Sequence, residues 1–306
     1  MRKVFKWIGI VLGSLIGLIV LAALVLFGKS RLEFTKKYSV NAPSVAVPAD
    51  TASIARGKHL ATILCMECHA QDLGGDPHFF DGGALGSAAA PNLTAGQGGL
   101  GSGFTDADFM RAIRYGVKPD GTSVFIMPST DFSYLGDQDL GDLIAYVRSV
   151  PPVDRQTPEP HARFTFLGGV MYGAGVFGHL LRADAIEKMG DVPAAPQPGL
   201  TADYGQYLVR INGCGDCHGP QLAGGKPGDP ASPLAPNLTP GGELTAWSEA
   251  DFITALRTGV TPSGTHLPDR FMPWKHKGQM TDNELKAMWA YLHSLPALPT
   301  STKPAE

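Results

Sequence analysis

Cysteine and histidine occur together in two short clusters with the same spacing. Cys65-Met-Glu-Cys68-His69 recurs as Cys214-Gly-Asp-Cys217-His218, and these four cysteines are all that the chain contains. Two thiols separated by two residues fit on one helical turn, where both sulfurs can add across the vinyl groups of a porphyrin. The histidine that follows falls beneath the ring as an iron ligand. The pattern therefore predicts covalent attachment of haem c, twice. Two other chemistries use Cys-x-x-Cys. A four-cysteine zinc site separates its pairs by about 15–20 residues, whereas Cys214 follows Cys68 by 146 positions. A thioredoxin-like pair needs a βαβ setting, and no stretch reads as a strand. No cysteine is left over for a structural disulfide or a free catalytic thiol.

The second axial position of each iron separates electron transfer from catalysis. A thioether there completes a low-spin iron and raises its potential, while an open or histidine-filled position permits other chemistry. Met127 lies 58 residues after His69, and Met272 lies 54 after His218. Each belongs to a Met-Pro pair on the loop before the last helical stretch of its repeat, which makes these two the expected ligands. Met110 and Met288 fall on helical stretches and are expected in the core; Met66, inside the attachment loop, cannot reach across the ring. His59 aligns with Tyr207 and is expected to pack on a helix face. His78, His161, His179, His266, His276 and His293 are expected on surfaces or loops, with His78 the candidate substitute ligand.

The elements that must position these groups are also written twice. Ala90-Pro-Asn-Leu-Thr94 recurs as Ala235-Pro-Asn-Leu-Thr239, Phe104-Thr-Asp-Ala-Asp-Phe109 as Trp247-Ser-Glu-Ala-Asp-Phe252, and Arg114-Tyr-Gly-Val117 as Arg257-Thr-Gly-Val260, at offsets of 143 to 149. A constant offset over this length marks a duplicated domain. Each copy predicts a first helix (about 52–64 and 202–213) running into its cysteine cluster. A second is opened by Thr105-x-x-Asp108 or Ser248-x-x-Asp251 and closed by Gly116 or Gly259. A third has apolar residues at i, i+3, i+4, i+7 (Leu140, Leu143, Ile144, Val147; Leu285, Met288, Trp289, Leu292) and stops at Pro151 or Pro296. Thr281-x-x-Glu284 caps the second of these.

Ahead of the repeats, Arg2, Lys3 and Lys6 precede 21 uncharged residues, Trp7–Phe27. As a helix this run spans roughly 30 Å, the thickness of a bilayer core. It ends in Leu26-Phe27-Gly28-Lys29, without the small-residue site of a cleaved signal, so an uncleaved anchor is expected. Its basic start belongs in the cytoplasm and the rest of the chain outside. Beyond residue 37 the chain holds 18 basic and 27 acidic residues. This acidic balance argues against nucleic-acid binding and against a polybasic grip on anionic lipid. Between the copies, Phe164–Leu181 is again free of Asp, Glu, Lys and Arg over 18 residues. A second span there would return the second cysteine cluster to the cytoplasm, where haem of this kind is not attached, and five glycines make it a poor helix. Packing between the two domains is the expected use, with a membrane- or partner-facing patch as the alternative.

On these motifs each repeat resembles class I c-type cytochromes, and the tandem with its anchor looks like the membrane-bound dihaem cytochromes of bacteria. The resemblance implies an all-α fold: an N-terminal anchor segment (1–37), a first cytochrome c domain (38–151), a linker (152–201) and a second cytochrome c domain (202–306). It also implies that Cys65, Cys68, Cys214 and Cys217 hold two haem c groups, with His69 and Met127, and His218 and Met272, as iron ligands. The carbonyls of Pro91 and Pro236 would then accept a hydrogen bond from each ligand histidine, fixing its orientation. Arg114 and Arg257 recur in both copies; a haem propionate and a solvated helix face are the two uses open to them. The Asp-Phe-x-x-Ala-Ile-Arg-x-Gly-Val segment is similar to cytochrome subunits of periplasmic alcohol, aldehyde or sugar dehydrogenase complexes. Those often carry three haem domains where this chain has two.

The expectation is an electron carrier and not an enzyme, held at the bacterial inner membrane with its haem domains on the periplasmic side. The donor would be a dehydrogenase or a quinol-oxidising complex, and the acceptor a soluble cytochrome or terminal oxidase. Three readings compete. A dihaem peroxidase needs one iron able to open its sixth site, a thiosulfate-oxidising enzyme needs an unusual ligand such as a spare cysteine, and a structural subunit of a respiratory complex needs neither.

Overall fold

The fold is known from a computed structural model, which describes residues 2–40, 43–101, 103–158, 161–178, 180–187, 194–228 and 231–304. It opens with one long helix, α1 (Arg2–Thr35), containing an 18-residue window of mean hydropathy 3.0 with nothing buried. An apolar stretch of helix with no protein around its side chains fits a membrane anchor.

The first repeat then builds α2 (Thr51–Leu64), α3 (Met66–His69), strands β1 (Asp76–Asp81) and β2 (Gly86–Ala90), α4 (Asp106–Tyr115), the single turn α5 (Ser129–Phe132) and α6 (Asp137–Ser149). The linker holds β3 (Ala162–Phe164), α7 (Phe166–Gly173) and α8 (Ala183–Glu187). The second repeat follows the order of the first without its strands: α9 (Ala202–Ile211), α10 (Cys214–His218), α11 (Glu249–Thr258), α12 (Trp274–Lys277) and α13 (Asp282–Ser294).

The capping signals act as read. Thr105 with Asp108, Ser248 with Asp251 and Thr281 with Glu284 all form reciprocal capping boxes, and Gly116 and Gly259 end their helices in the left-handed region at φ 66° and 69°. Inside each repeat the first and last helices cross in direct backbone contact. A Cβ on Gly57 would lie 1.9 Å from the Asp142 carbonyl oxygen, and one on Gly205 would lie 1.9 Å from that of Ala287. Leu60, Ile63, Leu140, Leu143 and Ile144 fill the core beside the first crossing, and Leu208, Ile211, Leu285 and Leu292 fill it beside the second.

The architecture departs from the sequence reading in two places. The first is a small antiparallel sheet, order β1-β2-β3, with Gly86 opposite Phe164 and Ala88 opposite both Phe80 and Ala162. Its strands are Asp-Pro-His-Phe-Phe-Asp, Gly-Ser-Ala-Ala-Ala and Ala-Arg-Phe, nearly devoid of β-branched residues, and the third comes from the distant linker. Local propensity carries no signal for such a sheet, because non-local pairing imposes it. The second is the apolar linker, which does not fill the space between the repeats. α7 packs against α1, with Gly169 facing Phe27 and Gly173 facing the Leu26 carbonyl.

The two repeats face each other with matching parts exchanged. His59 on α2 meets Glu284 on α13 at 2.8 Å, and Tyr207, which aligns with His59, donates at 2.5 Å to Asp139, which aligns with Glu284. Such an exchange is the mark of an isologous contact between two like units.

Candidate haem sites

Each cysteine cluster begins where its long helix ends. Cys65 is the C-cap of α2, donating its N–H to the Ala61 carbonyl, and α3 carries Cys68 and His69 on the following turn. Cys214 opens α10 after Gly213 turns the chain at φ 64°. None of the four cysteines is in a disulfide, and all are half-buried. Burial pushes Cys65, Cys68 and Cys214 up to about 12, and Cys217 upward too. They are neutral thiols in an apolar setting and not the electropositive, low-pKa sites of reactive cysteines. Among the described residues no three of His, Cys, Asp and Glu converge as a metal cage would require, which leaves the zinc reading without a ligand set.

The histidines are held alike. His69 Nδ1 lies 2.8 Å from the Pro91 carbonyl oxygen, and His218 Nδ1 lies 2.8 Å from that of Pro236. A carbonyl accepts only, so Nδ1 carries the proton and Nε2 keeps its lone pair. Burial pushes both imidazoles below their ordinary value, outweighing the carbonyl's pull upward, so both are neutral at pH 7. A neutral, oriented ring with a free Nε2 is the form that binds a metal ion.

The Pro-Asn-Leu-Thr segment is itself fastened by side chains to which the sequence reading gave no role. Asn92, fully buried, donates from Nδ2 to the carbonyls of Val153 (2.7 Å) and Arg155 (3.2 Å) and accepts the Thr94 N–H and hydroxyl on Oδ1. Asn237 repeats this with the Leu298 carbonyl (2.8 Å), the Thr300 hydroxyl and Thr239. Their recurrence two residues before a matching threonine was the available signal.

Met127 and Met272 stand on matching loops, each followed by a proline and one helical turn. An apolar crevice lined by Leu64, Cys65, Ile113, Met127, Phe132 and Leu143 brings the first cysteine and the first methionine into one space. In the second repeat Cys214 and Met272 both pack, half-buried, on the core. Met110 and Met288 are buried core residues. His78 lies exposed on β1, outside that crevice, and His179 lies outside the described residues.

Neither arginine is a free solvated cation. Arg114 donates to the Leu135 carbonyl at 2.7 Å and pairs with Asp137 at 2.7 Å; Arg257 donates to the Gly278 carbonyl and pairs with Asp282 at 2.8 Å. Each ties the helix before its methionine loop to the start of the helix after it. His59, expected as a packing residue, instead spans the two repeats to Glu284.

The family model for cytochrome c matches residues 54–151 and again 202–296, well over half of the chain. The chain belongs to the cytochrome c family. It is 30% identical over 260 residues to a dihaem cytochrome c-type protein of Cereibacter sphaeroides, covering 76% of this cytochrome and 82% of that one. It is also 29% identical over 281 residues to the fructose dehydrogenase cytochrome subunit of Gluconobacter japonicus, and 30% identical over 286 to the cytochrome c subunit of the alcohol dehydrogenase (quinone) of Gluconobacter oxydans. Those two alignments take in 83% of this cytochrome but only 55% and 57% of the dehydrogenase subunits, so the chain spans little more than half their length. Two family domains and a dihaem relative give a cytochrome with two covalently bound haem c groups. The paired cysteines, the oriented imidazoles and the apolar surroundings that Cys65 shares with Met127 are chemistry suited to holding that cofactor.

Proposed function

We propose that this cytochrome is a membrane-anchored relay that passes single electrons between a dehydrogenase or quinol-oxidising donor and a soluble cytochrome or terminal oxidase. The reading rests above all on one repeated arrangement: Cys-x-x-Cys-His, a prolyl carbonyl on Nδ1, and a Met-Pro loop, present in both copies. A haem c iron held between an imidazole and a thioether supplies reversible one-electron chemistry. Cys65 and Cys68 would anchor the first haem and Cys214 and Cys217 the second. His69 with Met127, and His218 with Met272, would be the axial pairs, with Pro91 and Pro236 holding each imidazole in register. Arg114 and Arg257 would act by keeping the methionine loops in place.

The dehydrogenase cytochrome subunits among the relatives support a dehydrogenase as donor, and α1 supports attachment to the inner membrane with both haem domains on its periplasmic side. We place the anchor segment at 1–37 and the two cytochrome c domains at 38–151 and 202–306, joined by 152–201; family matches at 54–151 and 202–296 support a division into two.

Met127→Ala and Met272→Ala test the ligands. Each should abolish the sulfur-to-iron absorption of one haem and lower its potential, leaving the other unchanged. Unaltered spectra in both variants would refute the ligand assignment. Purification with detergent, followed by identification of co-purifying subunits, tests the donor. Peroxide turnover by the pure protein would instead favour the peroxidase reading.

A further inference from the structure

α7 is the part of the molecule that electron relay does not explain. It buries Gly169, Tyr172 and Gly173 against the exit of α1, and Gly168 against the Leu85 carbonyl of the first repeat. The approach is close. A Cβ on Gly169 would stand 2.6 Å from the Phe27 ring, and one on Gly173 would stand 2.1 Å from the Leu26 carbonyl oxygen. The rings of Phe27 and Phe166 are 5.0 Å apart, and Lys29 caps the end of α7 by donating to the Gly173 carbonyl at 3.2 Å. Higher on α1, Phe34 packs on Phe125, Phe164 and Tyr172, so an aromatic collar joins the anchor to the first repeat.

One feature fixes where α7 lies. Phe166, Gly169 and Gly173 meet α1 at Leu26 to Ser30, while Tyr172 reaches further along it to Phe34. The backbone approach is at the level of Phe27, the last residue of the uncharged run. With α1 upright in a bilayer, α7 sits where the hydrocarbon core ends.

Its other face carries no charge and is largely exposed. Phe166, at the edge of its contact with Phe27, and Leu167 are 51% and 50% exposed, Val176 just beyond is 53% exposed, and Ala174 is exposed beside the half-buried Val170. A helix with one face packed and an exposed apolar face at the end of a membrane anchor can bury that face as a monotopic membrane element does. We propose that α7 is such an element: Phe166, Leu167, Val170 and Ala174 sink into the outer leaflet, continuous with the lipid surface around α1. The partner is phospholipid, at the depth where headgroups meet acyl chains. The consequence is orientation. One helix through the bilayer leaves the haem domains free to swivel, whereas a second element inserted beside it sets their tilt. Phe125, in the collar, is two residues from Met127, so the first repeat's methionine loop is held close to the membrane surface.

The proposal rests on α1 being a membrane anchor, and the test separates the two. A benzophenone amino acid is placed at Leu167 in the full-length holoprotein, with Ala174 as a second position. The variant carrying it at Phe80, on β1, serves as the negative control, and the one at Leu15, within α1, reports on the anchor. Each is reconstituted in vesicles of phosphatidylethanolamine and phosphatidylglycerol, illuminated, and read by mass spectrometry; the haem spectrum confirms folding. Phospholipid adducts are expected at positions 167, 174 and 15 and not at 80, both in vesicles and in native membranes. Adducts at 15 without any at 167 or 174 would overturn the proposal and leave the anchor standing. Loss at all three would overturn the anchor reading. Polypeptide adducts at 167 in native membranes would show that a partner subunit covers this face, and would overturn the proposal too.

Discussion

Two haem c groups were readable from one motif, Cys-x-x-Cys-His, and its recurrence, because that spacing has so few other uses. Asn92 and Asn237 show what a motif leaves out. Each stands beside the proline whose carbonyl meets the histidine, but what it binds, the chain beyond the last helix of its repeat, lies about 60 positions away. Nothing local marks it. Replacing Asn92 by Ala strands the Val153 carbonyl and the Thr94 N–H in a dry site and should cost about 2 kcal/mol of unfolding free energy. Asn237→Ala should cost about the same. Denaturant unfolding followed by haem absorbance measures both. If neither variant moves the midpoint, these side chains do not support the histidines' prolyl carbonyls.

At the scale of elements, helices announced themselves through caps and periodicity, while the sheet did not. Ala88 and Ala90 have no β preference to display, and β3 is recruited from the linker. The single turns α5 and α12 were equally silent, being four residues each. The crossing of first and last helices was half-legible: Gly57 and Gly205 interrupt good helices at matching positions, where a sequence alone shows only a weak residue. The structure supplies the reason, a carbonyl oxygen 1.9 Å from where a Cβ would be. Val at position 57 must push α2 off α6. Overpacking of this kind should destabilise the first domain by about 3 kcal/mol, and Gly205→Val should do the same to the second. Circular dichroism and haem content of the two variants measure this. A Gly57→Val protein with unchanged melting would mean that the helices do not cross so closely.

For the whole molecule, the sequence held a duplication but not the way its halves meet, because no residue of an interface names its partner across more than two hundred positions. His59 and Glu284 are that partnership, and they make the contact depend on pH. The hydrogen bond to Glu284 raises His59, against the effect of burial. For Glu284 burial pulls upward, but the bonds from His59 and from Thr281 prevail and hold it below its ordinary range. A raised histidine stabilises fully below its unfolded value of about 6.5 and loses that contribution as pH rises through its folded value. A lowered carboxylate stabilises above its unfolded value of about 4.3 and loses that as pH falls through its folded value. The pair is therefore at full strength between about pH 4.3 and about pH 6.5. Neighbouring Asp139 is raised, chiefly by burial and in spite of the Tyr207 hydroxyl, so its own contribution is lost as pH climbs above its unfolded value of about 3.9. The interface should be tightest in mildly acidic solution and loosen towards pH 8, the unfolding of the two domains separating as it does. His59→Ala should flatten that alkaline slope while both haem spectra stay normal, since His59 lies six residues, nearly two turns of helix, before Cys65 and points to Glu284. Calorimetry of the holoprotein across this range decides the matter: an equal slope in wild type and variant would show that the two halves are held together by packing, with the ion pair contributing nothing.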